Sequence, residues 1–357
     1  MKTKIVTIGK ADAAESIKKK LLEAGEVIKQ GGLVAFPTET VYGLGGDALN
    51  PESSRKIYAA KGRPSDNPLI VHIADTEHLD KIVSEIPEKA KKLAKAFWPG
   101  PLTMIFRKSH LVPRQTTGGL DTVAVRMPSH PLANIFIRSA GGYVAAPSAN
   151  LSGKPSPTLA KYVIQDLDGR IDMIVDAGGS AIGLESTIVD VTCDIPMILR
   201  PGYITQEMLS RVVGETDMDV TIYDDSCTQA PKAPGMKYRH YAPKGELVIV
   251  EGEPQKVVAY INEQAAMHEA AGELTGIIGT EEQIAEYRAS SIKNAGGRND
   301  SGMIARQLYT FLREFDDEKI SYIYAESFAE SFDDKGFGQA VMNRLLKAAG
   351  HKVIRIN

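Results

Sequence analysis

Short apolar runs alternate with helical stretches from residue 13 to residue 200, and this alternation constrains the fold more than any other feature. Runs rich in β-branched and apolar residues are typical of short strands. They lie at 33–36, 69–73, 102–106, 123–126, 143–146, 173–175, 187–191 and 197–199. Helical stretches lie among them at 13–30, 52–60, 87–97, 131–138 and 159–166. The pattern predicts an α/β domain that ends near Arg200.

A second, shorter alternation follows a stretch with a weaker pattern. Residues 202–245 contain one predicted helix at 205–213 and several prolines, which are typical of a linker. Strand-like runs then alternate with helical stretches, which predicts a smaller doubly wound, Rossmann-like domain. The runs are 247–250, 274–278 and 322–325, and the helical stretches are 255–270, 303–315 and 339–349. A chain of 357 residues exceeds what one core usually serves, so we expect a first domain at 13–201, a linker at 202–245 and a second domain at 246–357.

The charge and cysteine content exclude several classes of protein. Lysine plus arginine number 42 against 45 for aspartate plus glutamate, and this net charge of −3 argues against tight nucleic-acid binding through a basic face. Cys193 and Cys227 lack the spacing of a disulfide framework or a thiolate zinc site. The apolar run at 5–8 is too short for a signal peptide, and no stretch approaches the roughly 18 apolar residues of a membrane span. We expect a cytoplasmic protein with no membrane contact.

Common nucleotide and catalytic motifs do not account for the sequence. It contains no glycine-rich phosphate loop with lysine and serine, no paired-histidine zinc helix and no nucleophile elbow. Gly43, Gly45 and Ala48 have the spacing of a dinucleotide fingerprint, with Asp66 where a ribose partner would lie. That fingerprint needs its first glycine directly after a strand, whereas residues 37–42 intervene here. We interpret the match as a coincidence of spacing.

Polar and cationic side chains are concentrated near the ends of the predicted strands. Residues 36–45 place hydroxyls and a carboxylate after one strand, and residues 61–68 place Lys61, Arg63 and Asn67 in a turn rich in glycine and proline. Such a turn suits a polyanion. The alternative for residues 36–45 is a turn in which the hydroxyls cap backbone groups. The alternative for residues 61–68 is a helix C-terminus whose lysine and arginine interact with the helix dipole.

Three further segments share this chemistry: 119–126, 146–153 with Ser156, and 198–202. Arg126 ends an apolar strand, and a buried guanidinium needs a carboxylate or phosphate partner. An ion pair with a carboxylate of the same domain is the alternative. His72 alone is typical of a satisfied core histidine, and the hydroxyls at 186–187 are typical of a cap or turn. Together, four cations with interleaved hydroxyls predict a triphosphate site whose Mg²⁺ is held mainly by phosphate oxygens and water.

Taken in order, these motifs resemble those of the YrdC-type domain. The matching segments are 37–45, 61–73, 119–128, 147–157, 183–190 and 199–202. Residues 234–243 resemble the linker signature of the two-domain form, and the remainder is similar to its C-terminal domain. The chain therefore resembles the threonylcarbamoyl-AMP synthase family over nearly its whole length. This resemblance implies a twisted mixed sheet with flanking helices in the first domain.

The resemblance also implies an activity and a set of site residues. Members of the family are nucleotidyltransferases that join L-threonine, bicarbonate and ATP into threonylcarbamoyl-AMP with loss of pyrophosphate, and a separate transferase then modifies tRNA. The residues expected to hold threonine are Thr40, His72, Arg126 and Ser186. The residues expected to bind ATP are Arg63, Asn67, Thr122, Ala146, Ser148, Ser156, Arg200 and Tyr238. Lys61 and Arg63 are expected to be catalytic because they face developing negative charge, and Mg²⁺ is expected through the ATP phosphates rather than through protein ligands.

Two other functions and one structural question stay open at this stage. Another nucleotide-dependent enzyme could use the same scaffold, since a fold alone does not determine function. An RNA-binding module is supported by four lysines of one predicted helix, Lys89, Lys91, Lys92 and Lys95, but the net charge leads us to expect at most weak tRNA contact. The segment around Tyr238 is expected to fold over the site as a lid, or else to pack its tyrosines on the first domain.

Overall fold

The structure is a computed structural model that describes residues 2–219, 222, 241–328 and 336–356. It divides into two compact units. One comprises Met1–Ser152 and Ser156–Tyr238, and the other comprises Gly153–Pro155 and Arg239–Asn357. Among the described residues, no helix combines the length and the apolar character that crossing a membrane requires.

The first unit is built on a mixed sheet. Its strands are β1 (Lys4–Thr7), β2 (Val34–Phe36), β3 (Gly43–Asp47), β4 (Ile70–His72), β5 (Leu102–Arg107), β6 (Thr122–Arg126), β7 (Val144–Ala146), β8 (Met173–Asp176), β9 (Thr187–Asp190), β10 (Met197–Arg200) and β11 (Asp217–Met218). They lie in the order β1-β8-β2-β3-β7-β4-β6-β5-β9-β10-β11. At the centre, β4 and β6 are parallel, whereas β7 and β5 pair antiparallel to them. The mixed sheet expected from the sequence is confirmed.

Helices flank this sheet: α1 (Ala14–Lys29), α2 (Pro51–Lys61), α3 (Leu79–Ile82), α4 (Glu88–Phe97), α5 (Pro131–Ser139), α6 (Ala160–Leu167) and α7 (Gln206–Val213), with a 3₁₀ turn at Thr76–His78. Local chemistry defines the ends of α2. The side chain of Asn50 caps its first turn by accepting a hydrogen bond from the Glu52 amide at 2.9 Å. Gly62 ends it with φ of 62°, a left-handed conformation that suits glycine. Lys61 is therefore the last residue of α2 and directly precedes the 62–68 turn.

The two faces of the central strands carry different side chains. Val71, Met104 and Val125 belong to the largest apolar cluster of the unit. Because successive side chains point to opposite faces, Ile70 and Ala124 lie on the other face, in a small cluster with Ile105, Ile188 and Leu199. The same alternation places His72 and Arg126 on that second face, next to this small apolar cluster.

The second unit contains a parallel sheet in the order β14-β13-β15-β12-β16. Its elements are β12 (Glu246–Gly252), α8 (Pro254–Ala270), β13 (Thr275–Gly279), a 3₁₀ turn (Ile284–Glu286), β14 (Ser291–Asn294), α9 (Ser301–Asp317), β15 (Tyr322–Glu326), α10 (Phe337–Ala348) and β16 (Val353–Ile356). Ile261 of α8 clusters with Ile277 on one face of the sheet. On the other face, a Cβ on Gly276 would lie 2.7 Å from the ring of Phe315 in α9. Helices thus cover both faces, as the doubly wound prediction requires.

Several elements differ from the sequence prediction. β1, β11, β14 and β16 were not predicted. The helix predicted at 205–213 is present as α7, and α7 and β11 belong to the first unit although the sequence predicts a linker at 202–245. β3 runs through the glycine-rich segment at 43–47, for which the sequence predicts no strand. A Cβ on Gly45 would lie 2.8 Å from Val144 Cγ1, so close packing explains the glycine. Because Gly43 and Gly45 lie inside an antiparallel strand, they cannot form a phosphate-binding turn.

Candidate active site

A row of side chains crosses five neighbouring strands of the first unit. His72 of β4 is paired with Arg126 of β6, and Arg126 is paired with Thr103 of β5. Thr103 is in turn paired with Ile188 of β9, which is opposite Arg200 of β10. Residues directly opposite each other share a face of the sheet. The topology therefore brings together His72, Arg126 and Arg200, which are far apart in the sequence.

Arg126 is buried, and the protein itself binds much of its guanidinium. Nη1 donates to Thr40 Oγ1 at 2.8 Å, and Nη2 lies 2.7 Å from Glu39 Oε1. Nε donates a longer hydrogen bond, 3.4 Å, to the carbonyl oxygen of Gly100. The internal ion pair that the sequence left open is therefore present. Glu39 is a site residue that sequence reasoning missed.

The ion pair keeps Glu39 charged despite its burial. Burial disfavours the carboxylate, but the adjacent Arg126 guanidinium outweighs it and lowers the pKa of Glu39. The Thr38 hydroxyl shapes the turn that carries Glu39, since it bonds to the Val41 carbonyl at 2.6 Å and to Thr40 Oγ1 at 2.8 Å. Thr38 thus performs the turn-capping role expected of a loop threonine, while Thr40 contacts Arg126.

His72 is held as a neutral imidazole. Nδ1 lies 3.1 Å from the carbonyl oxygen of Ile70. A carbonyl can only accept, so Nδ1 carries the proton and Nε2 is left as an acceptor. Burial and the charge of Arg126 lower the pKa of His72 to about 3. His72 is therefore uncharged at neutral pH and offers a substrate an acceptor rather than a positive charge.

Ser186 links the far end of the row to its centre. Its hydroxyl lies 2.7 Å from Thr103 Oγ1 and accepts from Arg200 Nη2 at 3.1 Å. Arg200 Nε also donates to the Ser186 carbonyl at 3.0 Å. The structure therefore places Arg200, which is expected to bind ATP, against Ser186, which is expected to bind the substrate L-threonine. Sequence reasoning missed Thr103, because a threonine inside a strand has no distinguishing signal.

Lys61 and Arg63 stabilise the turns on either side of the candidate nucleotide site. Lys61 is almost fully buried, and Nζ donates to the carbonyl oxygens of Ser148, at 2.6 Å, and Asn150. Arg63 is half-buried and donates to the side chain of Asn67 and to the Asn67 carbonyl at 3.3 Å. Both cations therefore order the backbone at the site. Asn150 was not predicted.

Two further residues expected to bind ATP, Ala146 and Thr122, lie on central strands of the first unit. Ala146 ends β7 opposite Ile70, and Thr122 begins β6, so both lie toward the amino ends of β4 and β6. Arg126 is four residues beyond Thr122, about 13 Å at the rise of a strand. Thr122, expected to bind the nucleotide, and Arg126, expected to bind the substrate L-threonine, thus lie at opposite ends of β6.

Ser156 has a carboxylate partner that sequence reasoning also missed. Its hydroxyl donates to Glu185 Oε1 at 2.6 Å, and both side chains are buried. Glu185 directly precedes Ser186, so this contact holds the segment before β9. Tyr238 and most of the expected lid lie outside the described residues, and the lid stays a prediction.

Comparison with known proteins identifies the family. A protein-family model described as telomere recombination matches residues 26–202, and the model of the threonylcarbamoyl-AMP synthase C-terminal domain matches residues 204–350. A threonylcarbamoyl-AMP synthase of Bacillus subtilis is 48% identical over 99% of this chain and 100% of the relative. The chain belongs to the threonylcarbamoyl-AMP synthase family.

Other members of the threonylcarbamoyl-AMP synthase family agree with this placement. The synthase of Pyrococcus abyssi is 48% identical over 94% of this chain and 96% of its own. The crystal structure of P. abyssi Sua5 complexed with L-threonine superimposes with a TM-score of 0.91. That comparison covers 99% of this chain and 100% of the other at 46% identity. The synthase fold is therefore shared over both units.

Proposed function

We propose that this chain is an L-threonylcarbamoyladenylate synthase, a nucleotidyltransferase that condenses L-threonine, bicarbonate and ATP and releases pyrophosphate. The observation that carries the proposal is the buried row of His72, Arg126 and Ser186 in a chain of this family. Its curated relatives are named for this product, and a solved relative was complexed with L-threonine. We place the activity in the cytoplasm.

The threonine site would comprise Thr40, His72, Arg126 and Ser186. Nε of Arg126 donates to Gly100 and Nη1 donates to Thr40, whereas Nη2 forms an ion pair with Glu39 without an aligned hydrogen bond. Each terminal nitrogen therefore keeps at least one N–H, which is what a bidentate contact with a carboxylate needs. The neutral His72 supplies an acceptor for the substrate hydroxyl, and Ile105 and Ile188 of the small apolar cluster lie on the same face for its methyl group.

The ATP site would comprise Arg63, Asn67, Thr122, Ala146, Ser148, Ser156, Arg200 and Tyr238. Lys61 and Arg63 would stabilise the charge that develops on the phosphates, and they are already positioned by their hydrogen bonds to backbone carbonyls. Mg²⁺ fits this site as a companion of ATP, since the residues are cations, hydroxyls and amides. It would neutralise the triphosphate, with no dedicated protein ligands.

The reaction needs positioning more than proton transfer by the protein. The free amine of threonine forms a bond to the carbon of bicarbonate, and the hydroxyl of bicarbonate leaves as water with a proton from the amine, which gives a carbamate. A carbamate oxygen then attacks the α-phosphorus as the bond to pyrophosphate breaks. The mixed anhydride must then be kept from water until a separate tRNA transferase receives it. The segment around Tyr238 would serve as the lid, and direct tRNA contact would be weak.

An omission experiment tests the proposal. The full-length protein is incubated with ATP, Mg²⁺, bicarbonate and L-threonine, and pyrophosphate is measured while each component is left out in turn. Release should need all of them. Release without threonine would instead support a different nucleotide-dependent enzyme on the same scaffold.

A further inference from the structure

Glu39 is a buried carboxylate with acceptor capacity to spare. Among the described residues, no donor makes an aligned hydrogen bond with either of its oxygens. The ion pair with Arg126 is carried by Oε1. The backbone amides of Ser129 and Glu39 also help to lower the pKa of this carboxyl group, but no partner of Oε2 among the described residues meets the geometry of a hydrogen bond. Native proteins satisfy nearly all buried polar groups, and an exception of this kind needs an explanation. An absent ligand with an N–H or O–H group would provide one.

The position of Glu39 narrows the chemistry of that ligand. Its carboxylate lies beside the terminal nitrogens of Arg126, each of which keeps an N–H with no partner in the part of the chain that the structure describes, and beside Thr40. The Glu39 carboxylate, a negatively charged acceptor, is thus adjacent to the N–H donors of the positively charged Arg126 guanidinium. An α-amino acid has the complementary arrangement, because its amine and its carboxylate are attached to the same carbon.

We propose that Glu39 binds the amino group of L-threonine, so that the Glu39–Arg126 pair recognises the amine and the carboxylate of the substrate together. This assignment rests on the proposed function and adds a positioning residue to it. The other buried carboxylates of the first unit are engaged elsewhere. Glu185 accepts from Ser156 at 2.6 Å, and Asp166 accepts from the Leu151 amide at 3.1 Å.

The contact would last through carbamate formation. The amine and the carbamate both carry an N–H that a carboxylate can accept, so Glu39 would hold the nitrogen in one orientation before and after the N–C bond forms. The ammonium group releases one proton to solvent water before the N–C bond forms, and Glu39 takes no proton in this scheme. Its contribution is to point the nitrogen lone pair toward bicarbonate while Arg126 fixes the other end of the substrate.

A pair of ligands separates this role from a general structural one. Calorimetry with the full-length protein compares L-threonine with 3-hydroxybutanoate, which keeps the carboxylate, hydroxyl and methyl groups but lacks the amine. The wild type should bind threonine roughly 10- to 150-fold more tightly, the range of a hydrogen bond to a charged group. Equal affinity for the two ligands would overturn the proposal, and this result needs no variant.

Variants then attribute the difference to Glu39. Glu39→Gln should weaken threonine binding about tenfold or more. It should leave 3-hydroxybutanoate binding unchanged or tighter, because a negative charge beside the carboxylate is removed. Glu39→Asp should recover part of the preference for threonine. The matched control is Glu52→Gln, which breaks an exposed pair with Arg55 and should change neither affinity.

The outcomes distinguish this inference from the proposed function. Equal losses of affinity for both ligands in Glu39→Gln, with circular dichroism showing a folded protein, would mean that Glu39 acts only through Arg126, and would overturn the amine contact. Normal threonine binding by Glu39→Gln would do the same. A wild type that does not bind threonine at all would overturn the proposed function and this inference together.

Discussion

Lys61 Nζ lies 2.6 Å from the carbonyl oxygen of Ser148, so the last residue of α2 is bonded to the chain that follows β7. The same ammonium group donates to the carbonyl of Asn150. This buried contact joins two segments that both carry candidate ATP residues. Lys61 is therefore part of the structure of the site as well as a candidate for catalysis.

Lys61→Ala should lower both stability and activity. The substitution leaves the buried carbonyls of Ser148 and Asn150 without this donor, at a cost of about 1–3 kcal/mol in the free energy of unfolding. Urea unfolding measures that loss. Pyrophosphate release should also fall at temperatures where the variant is fully folded, since the cation proposed to stabilise the phosphates is gone.

Lys56→Ala is the matched control for Lys61→Ala. Lys56 lies on the same helix, and its Nζ also donates to a backbone carbonyl, that of Gly31 at 2.7 Å, but it is exposed. Its loss should change the free energy of unfolding by less than about 0.5 kcal/mol. If the two variants were equally stable, the Lys61 contact would have no special structural role.

Arg200→Lys should affect both substrates. Lysine cannot reproduce the two hydrogen bonds that Arg200 makes to the carbonyl and hydroxyl of Ser186. We expect the KM for threonine to rise together with the KM for ATP, whereas Arg211→Lys on the exposed surface of α7 should alter neither. A rise confined to ATP would show that the contact with Ser186 is incidental.

The neutral state of His72 predicts a pH dependence of stability. The pKa of His72 falls from an ordinary 6.5 to about 3 in the folded protein. Between these values the unfolded chain binds one proton more than the folded protein, so the free energy of unfolding must decrease as the pH is lowered through this window. The contribution is about 1.4 kcal/mol per pH unit well inside the window.

His72→Asn removes this contribution while keeping a side-chain N–H for the Ile70 carbonyl. Urea unfolding of both proteins at a series of pH values between about 4 and 7 gives the two slopes. The variant should be less sensitive to acid by about one proton. His130, whose pKa is also lowered by burial, is present in both proteins and cancels in the difference. Parallel slopes would contradict a neutral His72.

The site also predicts which amino acids are accepted. Serine lacks the methyl group of threonine, which is worth roughly 10- to 200-fold in a hydrophobic contact. Valine keeps the size but leaves the hydroxyl partners at Thr40, His72 or Ser186 unsatisfied, and rejection can reach roughly 10⁴-fold. Pyrophosphate release should follow the order threonine, serine, valine. If valine were turned over faster than serine, these residues would not recognise the substrate hydroxyl.

Most of the fold follows from local sequence patterns, and the exceptions have identifiable causes. The helices at 14–29 and 254–270 agree with their apolar periodicity to within one residue of the predicted bounds. β3 was missed because glycines, which are depleted in strands, occupy it for close packing against Phe36 and Val144. β16 joins β12 through pairing across about a hundred residues, which no local pattern reports.

The candidate site was only partly predictable for the same reason. Arg126 was identified by the cost of burying a guanidinium, yet its partner Glu39 lies 87 residues away in sequence and became visible only through the packing of the 38–41 turn on β6. Thr103 acquires meaning from its pairing with Arg126 and its bond to Ser186. Residue type identifies the cations of this site, whereas their partners depend on long-range topology.

The most direct test of the account is the identity of the product. The full-length protein is incubated with ATP, Mg²⁺, L-threonine and ¹³C-labelled bicarbonate, and the nucleotide product is analysed by mass spectrometry under conditions that limit hydrolysis. We predict an adenylate that contains one threonine and one labelled carbon, formed together with an equal amount of pyrophosphate. An adenylate without the labelled carbon, or pyrophosphate released without any threonine-containing nucleotide, would contradict the assignment of this chain as a threonylcarbamoyladenylate synthase.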